Sequence, residues 1–311
     1  MTLPQSTLGI DVSGKRLDAH AHPAGRARSF ANDREGIARL VAWAGELEAF
    51  VVLEATAPWD QPLVRALEAS GLRFHRANPG RARDFARAAG LLAKTDALDA
   101  RMLALYGAGL PLEPTAPVEP ERLALQRLNA RRDQLVEMRK GERTRARAEL
   151  DPLVADSVRA VTALLDQQIR RIEQHIQALL AEPALRGDHD ILRSAPGVGP
   201  VAAGVLLAHL PELGRVNRRQ VAALAGLAPV ARDSGLMRGR RHVRGGRKRV
   251  RDALYMAALA AIRTAPWKAA FQAMTSAGKP AKLAIIAIAR RLLVALNAAI
   301  RQQQPFHTHP A

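Results

Sequence analysis

Apolar and polar positions in the first 110 residues predict an alternating order of strands and helices. TLGIDV (7–12) has the pattern of a short buried strand, and RLDAHAH (16–22) and RARSF (26–30) predict a hairpin or meander after it. DREGIARLVAWAG is an amphipathic helix with Asp33 as its N-cap and Gly45 as its end. The apolar strand FVVLEAT, a second helix, the strand LRFHRAN and further helices follow. This order predicts an α/β domain built on a mixed sheet.

The pattern changes at the proline-rich stretch PLEPTAPVEP, which is typical of a stiff linker. Beyond it the chain is charged and helical, is broken at Asp151-Pro152, and carries Leu and Ile at three- and four-residue spacings. That spacing predicts a helical hairpin or coiled coil, and hence a partner helix within or between chains. We therefore divide the chain into an α/β domain (1–112), a linker with a helical hairpin (113–185) and a helical third domain (186–311).

The charge of the chain points to a polyanionic partner. The formal net charge is +18 and the sequence pI is about 11.4. Each Lys or Arg placed on a phosphate releases counterions, so nucleic acid explains the excess directly. An arginine-rich proteome would account for part of it, but the clustering described below favours nucleic acid. The absence of cysteine excludes disulfides, zinc–thiolate sites and cysteine nucleophiles.

Neither end of the chain predicts a membrane segment. MTLPQSTLGIDVSG has no basic region followed by an apolar core, so we do not expect a signal peptide. Arg290 and Arg291 interrupt the apolar run LAIIAIARRLLVALNAAI, which predicts a buried amphipathic helix and not a membrane span. We expect a cytoplasmic protein with no membrane partner.

Four carboxylates interrupt otherwise apolar segments. Asp11 and Glu54 lie in strands, where an unpaired charge is costly, and Asp96 and Asp99 lie three residues apart in a helical run, where like charges repel. A solvated helix face and a strand end that reaches water are the alternatives. A divalent cation explains all four acids together, because Mg²⁺ and Mn²⁺ prefer oxygen ligands and can clamp the oxygens of a phosphoryl transfer.

Two glycine-rich motifs in the third domain predict contacts with phosphates. APGVGPVAAGVLLAHL resembles a helix-hairpin-helix element, in which the backbone at Gly197 and Gly199 would approach a phosphate; an ordinary turn between packed helices is the alternative. Between residues 232 and 251, nine Lys and Arg residues accompany one Asp and are separated by glycines, as suits a loop lying against a phosphate backbone. The side chains predicted to contact nucleic acid are Arg232, Arg238, Arg240, Arg241, Arg244, Arg247, Lys248, Arg249 and Arg251.

The motifs GIDVS, LEAT and KTDALDA, at these intervals, resemble those of the DEDD-type transposases of bacterial insertion sequences and of the related Piv-type DNA invertases. The resemblance implies a RuvC-like, ribonuclease-H-like N-terminal domain. In that fold the first and fourth strands are neighbours, and a later helix presents two carboxylates to their edge. Asp11, Glu54, Asp96 and Asp99 fall on the four acidic positions, which implies that they bind the metal and are catalytic.

A second signature, GLAP followed by SG, is matched by residues 226–229 and by Ser234-Gly235. The resemblance implies that Ser234 is a catalytic nucleophile that forms a covalent phosphoserine with DNA. The stretch GGRKRVR departs from the family's usual Gly-Asn and Leu-Arg. Tyr255 is the competing nucleophile, although ALYMAALAAI has the pattern of a buried helix face. Trp43, Trp59 and Trp267 are expected to be core residues.

These motifs together predict a site-specific DNA recombinase that mobilises its own insertion sequence in the bacterial cytoplasm, associated with the nucleoid. The resemblance implies donor and target DNA as partners and a structured non-coding guide RNA that pairs with both. The pattern of the helical region predicts a homo-oligomer, a dimer or tetramer, assembled through that region. Two alternatives are open. A junction-resolving endonuclease would use the same acids with water as nucleophile, and a non-catalytic nucleic-acid-binding protein would explain only the charge.

Overall fold

The protein forms two compact units in a computed structural model, Met1–Pro117 and Val118–Ala311, called unit 1 and unit 2 below. The structure describes residues 4–91, 96–147, 151–230, 242–243, 245–265 and 267–306, without the side chains of residues 96–98, 230 and 242. The division of the chain into three domains stays a prediction.

Unit 1 is a five-stranded mixed sheet with helices on both faces. The strand order is β3-β2-β1-β4-β5, in which β1, β2 and β3 pair antiparallel and β4 pairs parallel with both β1 and β5. The predicted mixed sheet and its order of strands and helices are confirmed. The elements are β1 (Thr7–Val12), β2 (Arg16–His22), β3 (Arg26–Ala31), α1 (Arg34–Glu46), β4 (Phe50–Glu54), α2 (Gln61–Ala69), β5 (Phe74–Ala77), α3 (Pro79–Ala88) and α4 (Asp96–Gly109).

The central strands are apolar on both faces because helices cover both. On β4, Val51 and Leu53 pack in the core with residues of α1 and α2, whereas Phe50 and Val52 pack with residues of α3 and α4. Such double coverage produces a continuous apolar run and not an alternating one.

The first helix, α1, begins as its sequence predicts and ends one residue later. The carboxylate of Asp33 accepts a hydrogen bond from the backbone N–H of Gly36 (2.8 Å), which confirms the N-cap. The helix ends at Glu46 and not at Gly45. Gly45 is an ordinary residue of the helix, and the residue with a positive φ at this end is Glu48, at 46°.

The three tryptophans do not all lie in the core. Trp43 and Trp267 are 1% and 8% exposed, but Trp59 is 52% exposed. The prediction for Trp59 was therefore wrong. It belongs to the connection between β4 and α2, outside any strand or helix, so no periodic pattern fixes which way it faces.

In the residues that the structure describes, unit 2 is helical apart from one two-stranded ribbon. Its elements are α5 (Pro120–Arg145), α6 (Pro152–Leu180), α7 (Pro183–Arg193), α8 (Pro200–His209), α9 (Arg218–Leu224), β6 (Pro229–Val230), β7 (His242–Val243), α10 (Lys248–Ala261), α11 (Trp267–Ser276) and α12 (Ala281–Gln302). The two long helices α5 and α6 pack together through Leu135, Leu165 and Ile169. Asp151 caps α6 through the backbone N–H groups of Leu153 and Val154.

The last helix, α12, is long and apolar enough to cross a membrane by length and composition alone. Its apolar side is nevertheless part of the core of unit 2, where Ile288, Leu292 and Leu296 are fully buried. Arg291 lies on the opposite, exposed side. This burial agrees with the amphipathic core helix that the two arginines predict.

Candidate active site

The parallel pairing of β1 and β4 brings two of the predicted acids together. The last registered pair is Ile10 with Leu53, so Asp11 and Glu54 are each the next residue at the carboxyl end of its strand. Neighbouring strands lie about 4.8 Å apart, and registered residues of parallel strands point to the same face. Asp11 and Glu54 are both partly buried and are therefore side by side at one edge of the sheet.

Helix α4 lies directly on the face of the sheet to which Asp11 belongs. Gly9 shares that face, being two residues before Asp11. A Cβ atom on Gly9 would lie 2.1 Å from the carbonyl oxygen of Ala100 and 2.3 Å from the backbone nitrogen of Ala104. The hydroxyl of Thr7 donates a hydrogen bond to the carbonyl of Ala104 (2.9 Å), which holds the helix at this depth.

The contacts along α4 also show which of its ends meets the acids. A Cβ atom on Gly107 would lie 3.4 Å from the Cγ2 of Thr7, whereas Gly9 meets Ala100 and Ala104. The helix therefore runs antiparallel to β1, and its first turn lies at the carboxyl end of that strand. Asp99, partly buried, belongs to this first turn. Asp96 begins the same helix, and its side chain lies outside the described part of the chain.

Replacing Gly9 by alanine should destabilise unit 1, because the added methyl group would meet helix backbone and not a flexible side chain. We expect a loss of about 3 kcal/mol in unfolding free energy, the upper part of the usual cost of overpacking, measured by urea unfolding. Gly45→Ala is the matched control, since nothing lies within 4 Å of a Cβ atom there. That variant should gain about 0.5–1 kcal/mol from its higher helix propensity. Equal stability of the two variants would contradict the close approach of α4.

Two polar residues of β2 share this face and were not predicted from the sequence. Asp18 pairs directly with Asp11 in the sheet register and His20 pairs with Gly9. Asp18 is 8% exposed and accepts hydrogen bonds from Arg16 (2.7 Å) and from Ser29. Burial, and then the positive charge of Arg101, lower the pKa of His20 below its ordinary value. The alternation of polar and apolar residues in β2 does not show that the polar face is covered. That becomes clear only from the position of α4.

The predicted nucleophile belongs to a segment bracketed by a β-ribbon in unit 2. β6 and β7 pair antiparallel, with Pro229 opposite Val243 and Val230 opposite His242. Residues 231–241, and with them Ser234, lie outside the described part of the chain, as does residue 244. The predicted nucleic-acid contacts that fall there are Arg232, Arg238, Arg240, Arg241 and Arg244.

The two chain segments that lead into this ribbon touch through glycines. A Cβ atom on Gly226 would lie 2.2 Å from the carbonyl oxygen of Gly245, and one on Gly246 would lie 2.1 Å from the backbone nitrogen of Gly226. Gly226 and Gly246 also have positive φ values of 68° and 67°, which L side chains adopt only with strain. Gly226 of GLAP and Gly246 of RGG are therefore needed for the close contact between the two chain segments at the base of the ribbon.

Arginines that follow the ribbon are paired within unit 2. Arg247 binds Glu212 with both of its terminal nitrogens (2.6 Å each). Arg249 donates to the carboxylate of Asp133 and to the carbonyl of Asn129, both on α5. These contacts connect the base of the ribbon to the rest of unit 2. That Arg247 and Arg249 also contact nucleic acid stays a prediction.

The remaining basic residues of this group differ in their surroundings. Arg251 donates to the carbonyl of Gly245 (2.7 Å), which again braces the base of the ribbon. Lys248 is exposed and pairs with Asp252 one helical turn later, an arrangement that contributes only a few tenths of a kcal/mol. Lys248 is therefore the described residue of the group most available to an external phosphate.

The arginine pairs change the ionisation of their neighbours. Burial lowers the pKa of His209 to about 4, and the adjacent positive charge of Arg249 acts in the same direction. The neutral imidazole accepts a hydrogen bond from Arg249 through Nε2 (3.2 Å). Burial alone would raise the pKa of Glu212, but the hydrogen bonds and charge of Arg247 outweigh it, and the pKa is lowered. At neutral pH His209 is therefore uncharged and can accept from Arg249, and Glu212 is ionised and can accept from Arg247.

The glycine-rich turn before α8 has a packing reason of its own. Gly197 has a φ of 85°, and a Cβ atom there would lie 2.4 Å from the carbonyl oxygen of Ala257 on α10. Gly199 is the N-cap of α8, and nothing lies within 4 Å of a Cβ atom at that position. Gly197 is thus required by helix packing, and phosphate binding at the two glycines stays a prediction.

Two transposase family models match this chain, one after the other along the sequence. A model described as "Transposase", of the DEDD type of IS110, matches residues 8–154, and a model described as "Transposase IS116/IS110/IS902 family" matches residues 189–273. Over both stretches the chain is similar to transposases of the IS110 type. The first match contains Asp11, Glu54, Asp96 and Asp99, and the second contains Ser234.

Curated relatives show the same similarity, two of them over nearly the whole chain. The "Pilin gene-inverting protein" of Moraxella bovis is 27% identical over 319 residues, which cover 98% of each chain, and its namesake in Moraxella lacunata matches to the same extent. The "Insertion element IS900 uncharacterized 42 kDa protein" of Mycobacterium paratuberculosis is 32% identical over 157 residues, 47% of this chain and 39% of that protein. Similarity to transposases implies an enzyme that cleaves and rejoins DNA.

The donor chemistry at the sheet edge suits the divalent metal that the match to a DEDD-type transposase domain suggests. Asp11, Glu54 and Asp99 supply carboxylate oxygens, the ligands preferred by Mg²⁺ and Mn²⁺. Among the side chains that the structure describes, no three acidic or imidazole groups are close enough to hold a metal ion, and Asp96 is not among those side chains. Asp11, Glu54 and Asp99 each have an interaction within the chain, so a bound metal would replace those interactions.

Proposed function

We propose that this transposase cleaves and rejoins DNA at a divalent-metal site formed by Asp11, Glu54, Asp96 and Asp99, with Ser234 as nucleophile. The observation that carries the proposal is the placement of the acids: the register of β1 and β4 and the direction of α4 bring all four positions to one edge of the sheet. The strand order β3-β2-β1-β4-β5, with its central parallel pair, supports a ribonuclease-H-like, RuvC-like identity for unit 1.

Each acid would have a defined role. Asp11 and Glu54, at the ends of rigid strands, would hold Mg²⁺ or Mn²⁺ in a fixed position, and the first turn of α4 would complete the ligand set with Asp96 and Asp99. A bound metal supplies Lewis acidity, which polarises the scissile phosphate and stabilises the charge that develops on it. The close approach of α4 at Gly9 sets the distance between the strand acids and the helix acids, so this glycine is a positioning residue.

Ser234 would supply the attacking oxygen. Its hydroxyl would lose its proton as Oγ forms a bond to phosphorus and the bond from phosphorus to the leaving sugar oxygen breaks. That sugar oxygen would take up a proton, so the exchange has no net change in protons. Rejoining reverses the exchange, with a sugar hydroxyl attacking the phosphoserine. A serine hydroxyl is a weak nucleophile at neutral pH without activation. In this proposal the metal site provides the missing assistance through the phosphate.

The basic residues and the long helices would organise the substrates. Arginines of segment 232–251 would neutralise phosphates of donor and target DNA, and Gly197 and Gly199 would offer backbone N–H groups. A structured guide RNA is compatible with the charge of the chain, since RNA helices are bound largely through phosphate and shape. The α5–α6 hairpin would join protomers into a dimer or tetramer, acting on DNA in the bacterial cytoplasm at the nucleoid.

The chemistry of the cleaved end tests this function in the wild-type protein. The protein, its element-flanking DNA and Mg²⁺ should yield a protein–DNA adduct that survives denaturation and is linked through serine, because the nucleophile stays attached to phosphorus. The measurement is the shift of labelled DNA on a denaturing gel, followed by mass spectrometry of the attached peptide. Cleaved DNA without an adduct would favour the junction-resolving endonuclease, which uses water. An adduct on the peptide of Tyr255 would replace Ser234 in the mechanism.

A further inference from the structure

Trp59 is an exposed aromatic residue five positions after Glu54. It is 52% exposed, whereas Trp43 and Trp267, the other two tryptophans of the chain, are buried. An exposed hydrophobic residue on its own is common in soluble proteins. Trp59 differs from such residues because specific contacts hold its ring and its backbone.

The indole of Trp59 rests on the turn that follows β1. A Cβ atom on Gly14 would lie 3.5 Å from the ring carbons Cδ2 and Cε2, which is ordinary van der Waals contact. The side-chain amide of Asn32 donates hydrogen bonds to the carbonyl oxygens of Ser13 (2.8 Å) and Trp59 (3.1 Å). Asn32 therefore ties the turn after β1 to the connection after β4, and the ring lies against that turn.

The residue after Trp59 anchors the same connection from the inside. Asp60 is completely buried and its carboxylate accepts hydrogen bonds from Nε of Arg76 (2.6 Å) and from the backbone N–H of Thr56 (3.3 Å). Arg76 belongs to β5, so the connection is bound to the sheet as well as to the turn. The result is a connection held at two points, with a half-exposed ring at the carboxyl-terminal edge of the sheet, where β1 and β4 end.

We propose that Trp59 is a stacking platform for an unpaired DNA base next to the phosphate held by the four acids. The proposal rests on the proposed function, because it takes the DNA strand to that edge of the sheet. An indole face accepts any base, whereas a base inside an intact duplex has both faces covered by its neighbours. Trp59 would thus select DNA that is locally unpaired at the cleavage position and would hold the strand in place, without taking part in bond breaking.

Intrinsic fluorescence tests this placement, since the other two tryptophans are buried. In the full-length protein, with a chelator present to prevent cleavage, a short single-stranded oligothymidylate should quench the emission, and duplex DNA of equal length should quench it less. Trp59→Ala should weaken binding of the single strand by about 5- to 150-fold, the usual range for loss of one stacked base. Trp59→Phe should lose the quenching signal but keep most of the affinity, because a phenyl ring still stacks.

Leu110→Ala is the matched control, since Leu110 is an exposed apolar residue just after the far end of α4. It should leave both quenching and affinity unchanged. Affinity equal in Trp59→Ala and Leu110→Ala would overturn the proposal, and so would a Trp59 that acrylamide cannot reach in the DNA-free oligomer, because the ring would then be covered by protein. These outcomes are separate from those for the acids: stacking without cleavage would leave the platform intact and would count against the metal site alone.

Discussion

Asp11→Asn is expected to reduce strand cleavage to below about one-thousandth of the wild-type rate, because it removes one of the charged oxygens that would hold the metal against the phosphate. Asp99→Asn should behave in the same way from the helix side of the site. Both changes keep the size of the side chain, so the fold should be retained. Affinity for DNA should be unchanged or slightly higher, since a negative charge is lost. Cleavage is measured on labelled element-end DNA with Mg²⁺, and affinity with a chelator present.

Asp18→Asn is the control for this prediction. It makes the same chemical change on the residue that pairs with Asp11 across the sheet, but Asp18 is engaged by Arg16 and Ser29. Cleavage should be retained, with some loss of stability. Mg²⁺ should raise the unfolding temperature of the wild type but not of Asp11→Asn, because a ligand bound only by the native state stabilises it by mass action. Full cleavage by Asp11→Asn or Asp99→Asn would remove the acids from the mechanism.

Ser234→Ala should abolish both the covalent adduct and recombination while leaving DNA binding intact, because only the attacking oxygen is removed. Tyr255→Phe is its control and should retain both activities, since Tyr255 is partly buried against the core of unit 2. The serine and the four acids lie in different units of the chain. We therefore expect that an active site combines Ser234 of one protomer with the acids of another.

Mixing two inactive proteins tests this composite site. Ser234→Ala and Asp11→Ala proteins, allowed to exchange subunits, should recover part of the wild-type adduct, because some sites then receive an intact serine and four intact acids. Either protein incubated alone should form none. No recovery in confirmed mixed oligomers would show that both parts come from one chain. Persistent adducts in Ser234→Ala alone would direct attention to Tyr255.

Local signals in the sequence were sufficient for much of unit 1. Asp33 caps α1 as predicted, because a cap depends only on residues three positions apart. The acid positions in β1, β4 and α4 were also identified, because a charge inside an apolar run is visible without knowing its partners. The assignment of these acids as metal ligands depends on side-chain positions, including that of Asp96, and stays a prediction.

Features that depend on distant contacts could not be predicted in this way. Nothing around Gly9 in the sequence indicates that α4, some 90 residues later, lies against its Cα atom. The partners of Arg249 are likewise far away, on α5, so the composition of its segment indicated only positive charge. Trp59 was placed in the core on residue type alone, whereas its exposure follows from the way Asn32 and Asp60 hold the connection.

The contacts at the base of the ribbon are separate in sequence from the segment between its two strands. Gly226, Gly246, Arg247 and Arg249, which make its contacts, all lie outside residues 231–241. The intervening residues can therefore change in sequence without removing any of these contacts. Natural variation, or grafting from a relative, could exchange residues 231–241 around a retained serine while the contacts at the base of the ribbon stay the same.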